Sequence, residues 1–275
     1  MRVIRIGHSP DADDAFMFYA LTHGKVELPG VRIEHVLEDI ESLNRRAATG
    51  ELEVTAISCA TYPSIAERYR IMDPGASMGK GYGPIVVARR PLDETELAKS
   101  SIAVPGLGTT AYLLLRLTLG DPPVIVVPFD RIIEIVRGEQ AHAGLLIHEG
   151  QITYAALGLV KVLDLGERWT KETGLPLPLG INVTRRDLGP ALASQLSEGL
   201  RASIRYAHAH PEEAVGYALR YGRGIDAATC TRFVHMYVND YTVTLSEEGR
   251  QALETLYRRA VAGGLLAAMP PLDPL

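Results

Sequence analysis

The sequence predicts a two-lobed α/β fold with a ligand cleft between the lobes. Short apolar strands alternate with short amphipathic helices, the pattern of βαβ units around a largely parallel sheet. The alternation occurs twice with the same order of parts, and the chain then closes with a run of helical segments.

Val3–Gly7 reads as a buried strand, and Asp14–His23 as a helix with apolar residues at helical spacing and Gly24 as its stop. Val31–Leu37 is a strand pattern. Ile40–Thr49 is a helix pattern with Asp39 as cap and Gly50 just past its end, and Val54–Ser58 is the next strand. In the second unit Ser101–Val104, Val124–Val127 and Ala143–Ile147 read as strands. Thr110–Leu119 and Asp130–Arg137 read as helices, the latter stopped at Gly138. Ile40–Ser58 runs helix, Gly-Glu-Leu, strand, polar turn; Asp130–Glu149 runs helix, Gly-Glu-Gln, strand, then His148 and Glu149. Such units place both polar turns at the carboxyl ends of strands, where open sheets bind ligands. A coincidence of common helix–Gly–strand patterns is the competing explanation.

Pro and Gly in Thr173–Pro178 mark a crossing between lobes, before a strand at Leu179–Thr184. Leu188–His208, Pro211–Tyr221, Ala227–Val238 and Glu247–Ala262 read as helices packing back onto the first lobe. The final AAMPPLDPL is expected to be poorly ordered. Residues 1–92 and 186–275 are assigned to a larger lobe and 93–185 to a smaller one, with hinges at 88–98 and 180–188.

Charged residues make up 22% of the chain and its net charge is −5, which argues against a nucleic-acid binder. The start, MRVIRIGHSPDADDAF, lacks the apolar core of a signal peptide, and no apolar run is long enough to span a bilayer. A cytoplasmic protein without membrane partners is expected. Cys59 and Cys230 stand far apart, so neither a disulfide framework nor a paired-cysteine metal motif is expected.

Four stretches could carry chemistry. His8–Asp14 puts Asp11, Asp13 and Asp14 between a strand and a helix. Helix capping and the helix dipole explain one or two of these acids without a cation, and the Gly and distal Glu of a calcium loop are missing. Ser9 is a candidate substrate contact. GLGTTA (106–111) formally matches a dinucleotide fingerprint, with Asp130 at about the ribose distance; Pro105 in the turn and the mid-chain position weigh against it. Gly108, Thr109 and Thr110 suit a carboxylate or polyol at a helix N-terminus, and a plain helix cap is the alternative. His148 follows the apolar AGLLI and is a candidate general base, against the commoner structural histidine; Glu149 could orient it. In AISCA (56–60), Ser58 is placed to face His148, and Cys59 reads as a small buried hydrophobe.

SPDADDAFMFYAL (9–21), LEDIESLNRRA (37–47), VPGLGTTAYLLL (104–115), GLLIHEGQITY (144–154), LDLGERWTKETGLPLPLG (163–180) and AHPEEAVGYA (209–218) run in order along the chain. Together they resemble 1,4-dihydroxy-6-naphthoate synthase of the futalosine route to menaquinone. The resemblance implies a fold like the type II periplasmic binding proteins. It also implies a lyase that converts cyclic dehypoxanthine futalosine to 1,4-dihydroxy-6-naphthoate and dihydroxyacetone. His148 would be the base, Ala56, Ile57, Ser58, Thr109 and Thr110 would bind substrate, and no metal or organic cofactor is implied. A solute-binding protein of the same fold and the related chorismate dehydratase are the rival readings. Oligomeric state is not legible.

Overall fold

The computed structural model describes residues 1–275. The first unit runs β1 (Arg2–His8), α1 (Ala12–Thr22), β2 (Val31–Leu37), α2 (Ile40–Thr49) and β3 (Val54–Ser58). After a short helix α3 (Tyr62–Ile65) come β4 (Tyr69–Ile71), β5 (Ser77–Gly79), β6 (Ile85–Ala88) and α4 (Glu94–Lys99). The second unit runs β7 (Ile102–Val104), α5 (Thr110–Leu119), β8 (Val124–Val126), α6 (Ile132–Arg137) and β9 (Ala143–Leu146). Helix α7 (Gly150–Thr153), β10 (Val160–Asp164), α8 (Leu165–Thr173) and β11 (Leu177–Arg185) lead to the tail. The tail is α9 (Pro190–Ala209), α10 (Pro211–Ala218), α11 (Ala227–Tyr237), α12 (Asp240–Val243) and α13 (Glu247–Ala262).

The repeated plan is visible in the strand order. One sheet runs β2-β1-β3-β11-β4 with β5 on β11, and the other runs β10-β6-β9-β7-β8. In each unit the first strand lies between the second and third, all parallel. The third strand of each unit then takes an antiparallel neighbour, β11 on β3 and β6 on β9. The sheets are therefore mixed: parallel within each unit, antiparallel where the chain crosses. The crossings fall at 80–84 and 165–176, not at 88–98 and 180–188, because β6 already belongs to the second sheet and β11 to the first. Strands β4, β5 and β6, of three or four residues, are too short to show a period, and β10 and α8 were not anticipated.

Local chemistry explains the boundaries. Asp39 caps α2 by accepting the Glu41 and Ser42 N–H groups, and Gly50 ends it in the left-handed conformation. Close packing explains two other glycines. A Cβ on Gly7 in β1 would lie 2.5 Å from Leu52 Cδ1, and one on Gly144 in β9 would lie 2.5 Å from Ile132 Cγ2. Each lets a helix or loop of its unit sit directly on the sheet.

Helix α1 is apolar all round and is covered by α9, α10 and α11, so nearly every residue of it is buried. That placement takes Asp13 and Asp14 inside with it. A second apolar cluster joins the two sheets through Ile57, Ile181, Val86, Val104 and Leu145, and α13 packs on both α5 and β11. The tail after α13 is docked rather than loose. Asp273 takes both Arg186 Nη atoms at 2.8 Å, and Leu275 N–H bonds to the Ile71 carbonyl. No helix is long and apolar enough to cross a membrane.

Candidate active site

The carboxyl ends of β1, β3, β7 and β9, with β11 as floor, surround a cavity of about 720 Å³, open mouth included. A concave pocket at the carboxyl ends of strands, lined by apolar side chains and a few polar ones, suits a small molecule. Ser9, Ala56, Ile57, Ser58, Thr109, Thr110 and His148 all line it. Residues taken from four separate stretches of sequence thus meet around one space.

His148 stands two residues past β9 with φ of 53°, a left-handed conformation that glycine favours and other residues seldom adopt. Such a backbone costs on the order of 1–3 kcal/mol and persists where surrounding structure imposes it. The turn aims Nδ1 at Asp11 Oδ2, 3.2 Å away, and leaves Nε2 buried with no protein partner. Phe129 packs edge-on against the imidazole at 4.8 Å. With Nδ1 facing the carboxylate, Nε2 is the ring nitrogen left open to the cavity.

Asp11 is the N-cap of α1 and accepts the Asp14 N–H at 3.2 Å. Burial pushes its carboxyl up, but His148, the neighbouring Asp13 and Ser9 side chains and the Asp14 N–H outweigh it, so it is held below the usual range. Asp13 moves the other way: burial first, then Asp11, Asp14 and Glu149, raise it well above that range. Asp14 is raised by burial and Asp11 against the pull of the Ser9 N–H, which it accepts at 2.6 Å. Asp11, Asp13 and His148 are the one group of ligand atoms that could converge on a cation, all within 4.8 Å of one another. The His148–Asp11 contact and a proton on Asp13 account for their closeness without one.

The two threonines line the cavity, but their hydroxyls are bonded to protein. Thr109 Oγ1 accepts the Tyr112 N–H at 3.2 Å and donates to the Gly106 carbonyl at 2.8 Å, as a helix cap does. Thr110 Oγ1 donates to the Leu179 carbonyl at 2.6 Å and accepts the Ala60 N–H at 3.2 Å. The first-turn amides of Thr110 and Ala111 remain for a ligand. Ser58 is fixed by Asn44, whose Oδ1 accepts its N–H and whose Nδ2 donates to its Oγ, leaving the hydroxyl hydrogen free to turn into the cavity. Cys59 is fully buried, as expected.

The glycine turn holds an anion from the chain itself. Gly108 N–H donates to Glu41 Oε2 at 3.1 Å, and a Cβ on Gly106 would lie 2.4 Å from the same carboxylate. A dinucleotide phosphate would have to displace Glu41, which removes the fingerprint reading. Glu149 does not touch His148's ring nitrogens; it pairs with Arg223 Nη1 at 3.1 Å, while Arg223 Nη2 donates to the Pro10 carbonyl at 2.8 Å. Arg223 also sits 4.5 Å over the Phe129 ring. One side chain from the tail thereby ties the loop after β1 to the turn after β9.

Asn182, Gln151, Phe233 and Tyr237 also line the cavity and were not anticipated. Asn182 Oδ1 is buried without a partner, and Tyr237 hydroxyl pairs with the Gln151 amide across the lobes. The polar Asn182 inside the apolar strand pattern 177–185 was the one available signal.

A family model described as menaquinone biosynthesis matches residues 4–262. A 1,4-dihydroxy-6-naphtoate synthase of Thermus thermophilus is 45% identical over 98% of both chains. A synthase of the same name from Streptomyces coelicolor is 37% identical over 98% of this chain and 96% of that one. The crystal structure of an Archaeoglobus fulgidus protein superposes with a TM-score of 0.93 at 52% identity, covering 96% of this chain and 98% of that one. The alkanesulfonate-binding protein SsuA from Xanthomonas axonopodis pv. citri, bound to MOPS, reaches a TM-score of 0.74 at 14% identity over 99% of this chain and 96% of its own. This last likeness shows the fold alone, which is that of the periplasmic binding proteins. Matched over nearly its whole length by the family model and by both synthases, the chain belongs to the menaquinone biosynthesis family that includes the 1,4-dihydroxy-6-naphthoate synthases.

Proposed function

We propose that the protein is a lyase that cleaves cyclic dehypoxanthine futalosine to 1,4-dihydroxy-6-naphthoate and dihydroxyacetone, with His148 as general base. The observation that carries this reading is His148 itself: Nδ1 pinned by buried Asp11, Nε2 enclosed and unpartnered at the cavity wall. A base in that position takes a hydroxyl or carbon-bound proton of the substrate. The carbon–carbon bond then breaks, a carbonyl forms on the departing three-carbon fragment, and the electron pair passes into the bicycle, whose aromatisation drives the step. Base catalysis of this kind contributes about 10²–10⁴-fold.

Orientation and exclusion of water supply the remainder. The first-turn amides of Thr110 and Ala111 suit the substrate's carboxylate, and Ser9 and Ser58 suit its hydroxyls. Two lobes, 1–79 with 177–275 and 85–164, close over it in the cytoplasm, and no cofactor takes part. Incubation of the purified protein with cyclic dehypoxanthine futalosine alone, followed by absorbance and mass, should give the naphthoate and an equal amount of dihydroxyacetone. Binding without turnover would favour the solute-binding reading, and loss of water from chorismate the dehydratase. Either result sinks the proposal.

A further inference from the structure

Three carboxyl groups enter the cavity wall on the first turn of α1, and their partners differ. Asp11 meets His148, and Asp14 accepts the Ser9 N–H. Asp13 has neither kind of partner: it is buried, its Oδ1 is unbonded, and it lies against Asp11. The titratable groups around it are Asp11 and Asp14 on its own helix, His148 and Glu149 from the second lobe, and Cys230 and Tyr237 on α11. The nearby guanidinium, Arg223, is already engaged by Glu149. Two adjoining carboxyls in a buried site do not both ionise. Asp11, beside the imidazole, keeps the charge, so the proton rests on Asp13.

We infer that Asp13 is a positioning residue for His148: as a neutral acid it donates a hydrogen bond to Asp11 and keeps one negative charge, not two, beside the imidazole. The inference rests on His148 acting as the base. A second charge there would favour the imidazolium and occupy the lone pair that the reaction needs. An amide offers the same donor in nearly the same shape and cannot ionise. Asparagine should therefore serve at this position, and alanine should not.

Asp13→Asn should keep kcat within about threefold of the parent near neutrality, whereas Asp13→Ala should lose about tenfold or more. As pH rises and Asp13 gives up its proton, the parent's kcat/KM should fall, and that alkaline limb should be absent in Asp13→Asn. A second readout needs no turnover. Followed by nitrogen NMR in the free protein at one pH near neutrality, the His148 ring-nitrogen signals should coincide in the parent and in Asp13→Asn and should differ in Asp13→Ala. Equal movement of these signals in both variants, or in neither, overturns the inference. A parent that does not cleave the futalosine derivative would sink the proposed reaction instead, and the ring-nitrogen signals would still decide the role of Asp13.

Discussion

Replacing Thr110 by valine removes one hydroxyl and keeps the side-chain outline. In this structure that hydroxyl joins three elements: it sits on α5, donates to the Leu179 carbonyl at 2.6 Å and accepts the Ala60 N–H at 3.2 Å. Thr110 is 2% exposed, so the change strands a buried carbonyl and a buried amide together. Each unpaired buried group costs about 1–3 kcal/mol, and a water entering from the cavity can replace one of the two bonds. The expected loss is therefore about 1–3 kcal/mol, or a melting temperature lower by roughly 2–12 °C for a chain of this size. Urea unfolding should show the midpoint falling at constant slope, with kcat/KM per folded molecule within about threefold of the parent. An unchanged midpoint with KM raised about tenfold, worth about 1.4 kcal/mol of binding, would show that the hydroxyl grips the ligand.

His148→Asn should fold normally, because asparagine tolerates the left-handed backbone at this position, and should lose about 10²–10⁴-fold in kcat. Near-normal turnover would remove His148 from the mechanism. Arg223→Ala releases both Glu149 and the Pro10 carbonyl, so KM should rise about tenfold with a smaller change in kcat, and small-angle scattering should show a more open molecule. An unchanged KM would mean that the ion pair does not hold the lobes together. Burial, with help from neighbouring imidazoles, pushes His8 down to about 3 and His35 to about 4 from 6.5. The unfolded chain thus binds more protons in that window, and stability should fall as pH drops from 6.5 toward 3. The loss through His8 is on the order of 4 kcal/mol, and His8→Gln should flatten the melting-temperature curve there.

Helix boundaries and the repeated unit were legible because each depends on neighbours in the chain. Val31–Leu37, Ile40–Thr49, Val54–Ser58, Thr110–Leu119 and Glu247–Ala262 have the expected bounds. Their caps and spacing are local signals. The short strands at 69–71, 77–79 and 85–88 were not legible, since three or four residues give no measurable period. Asp273 shows the same limit at the tail: nothing in AAMPPLDPL announces the two arginines, Arg70 and Arg186, that dock it.

By itself the sequence determined where polar turns follow apolar strands, and so which residues could reach a cleft: Ser9, Ser58, Thr109, Thr110 and His148. Only the tertiary structure decided what each of them does there. Asp11 reads as a helix cap until β1 and β9 bring it to 3.2 Å from His148. Thr110 reads as a ligand contact until β11 places the Leu179 carbonyl against its hydroxyl. Glu149 reads as a partner of His148 until Arg223 claims it from the tail. Spacing along a chain determines which face a side chain takes, whereas the order of strands and the packing of helices determine what it meets. A buried hydroxyl or carboxyl takes its role from the nearest donor, acceptor or charge, and here those come from the far side of the fold.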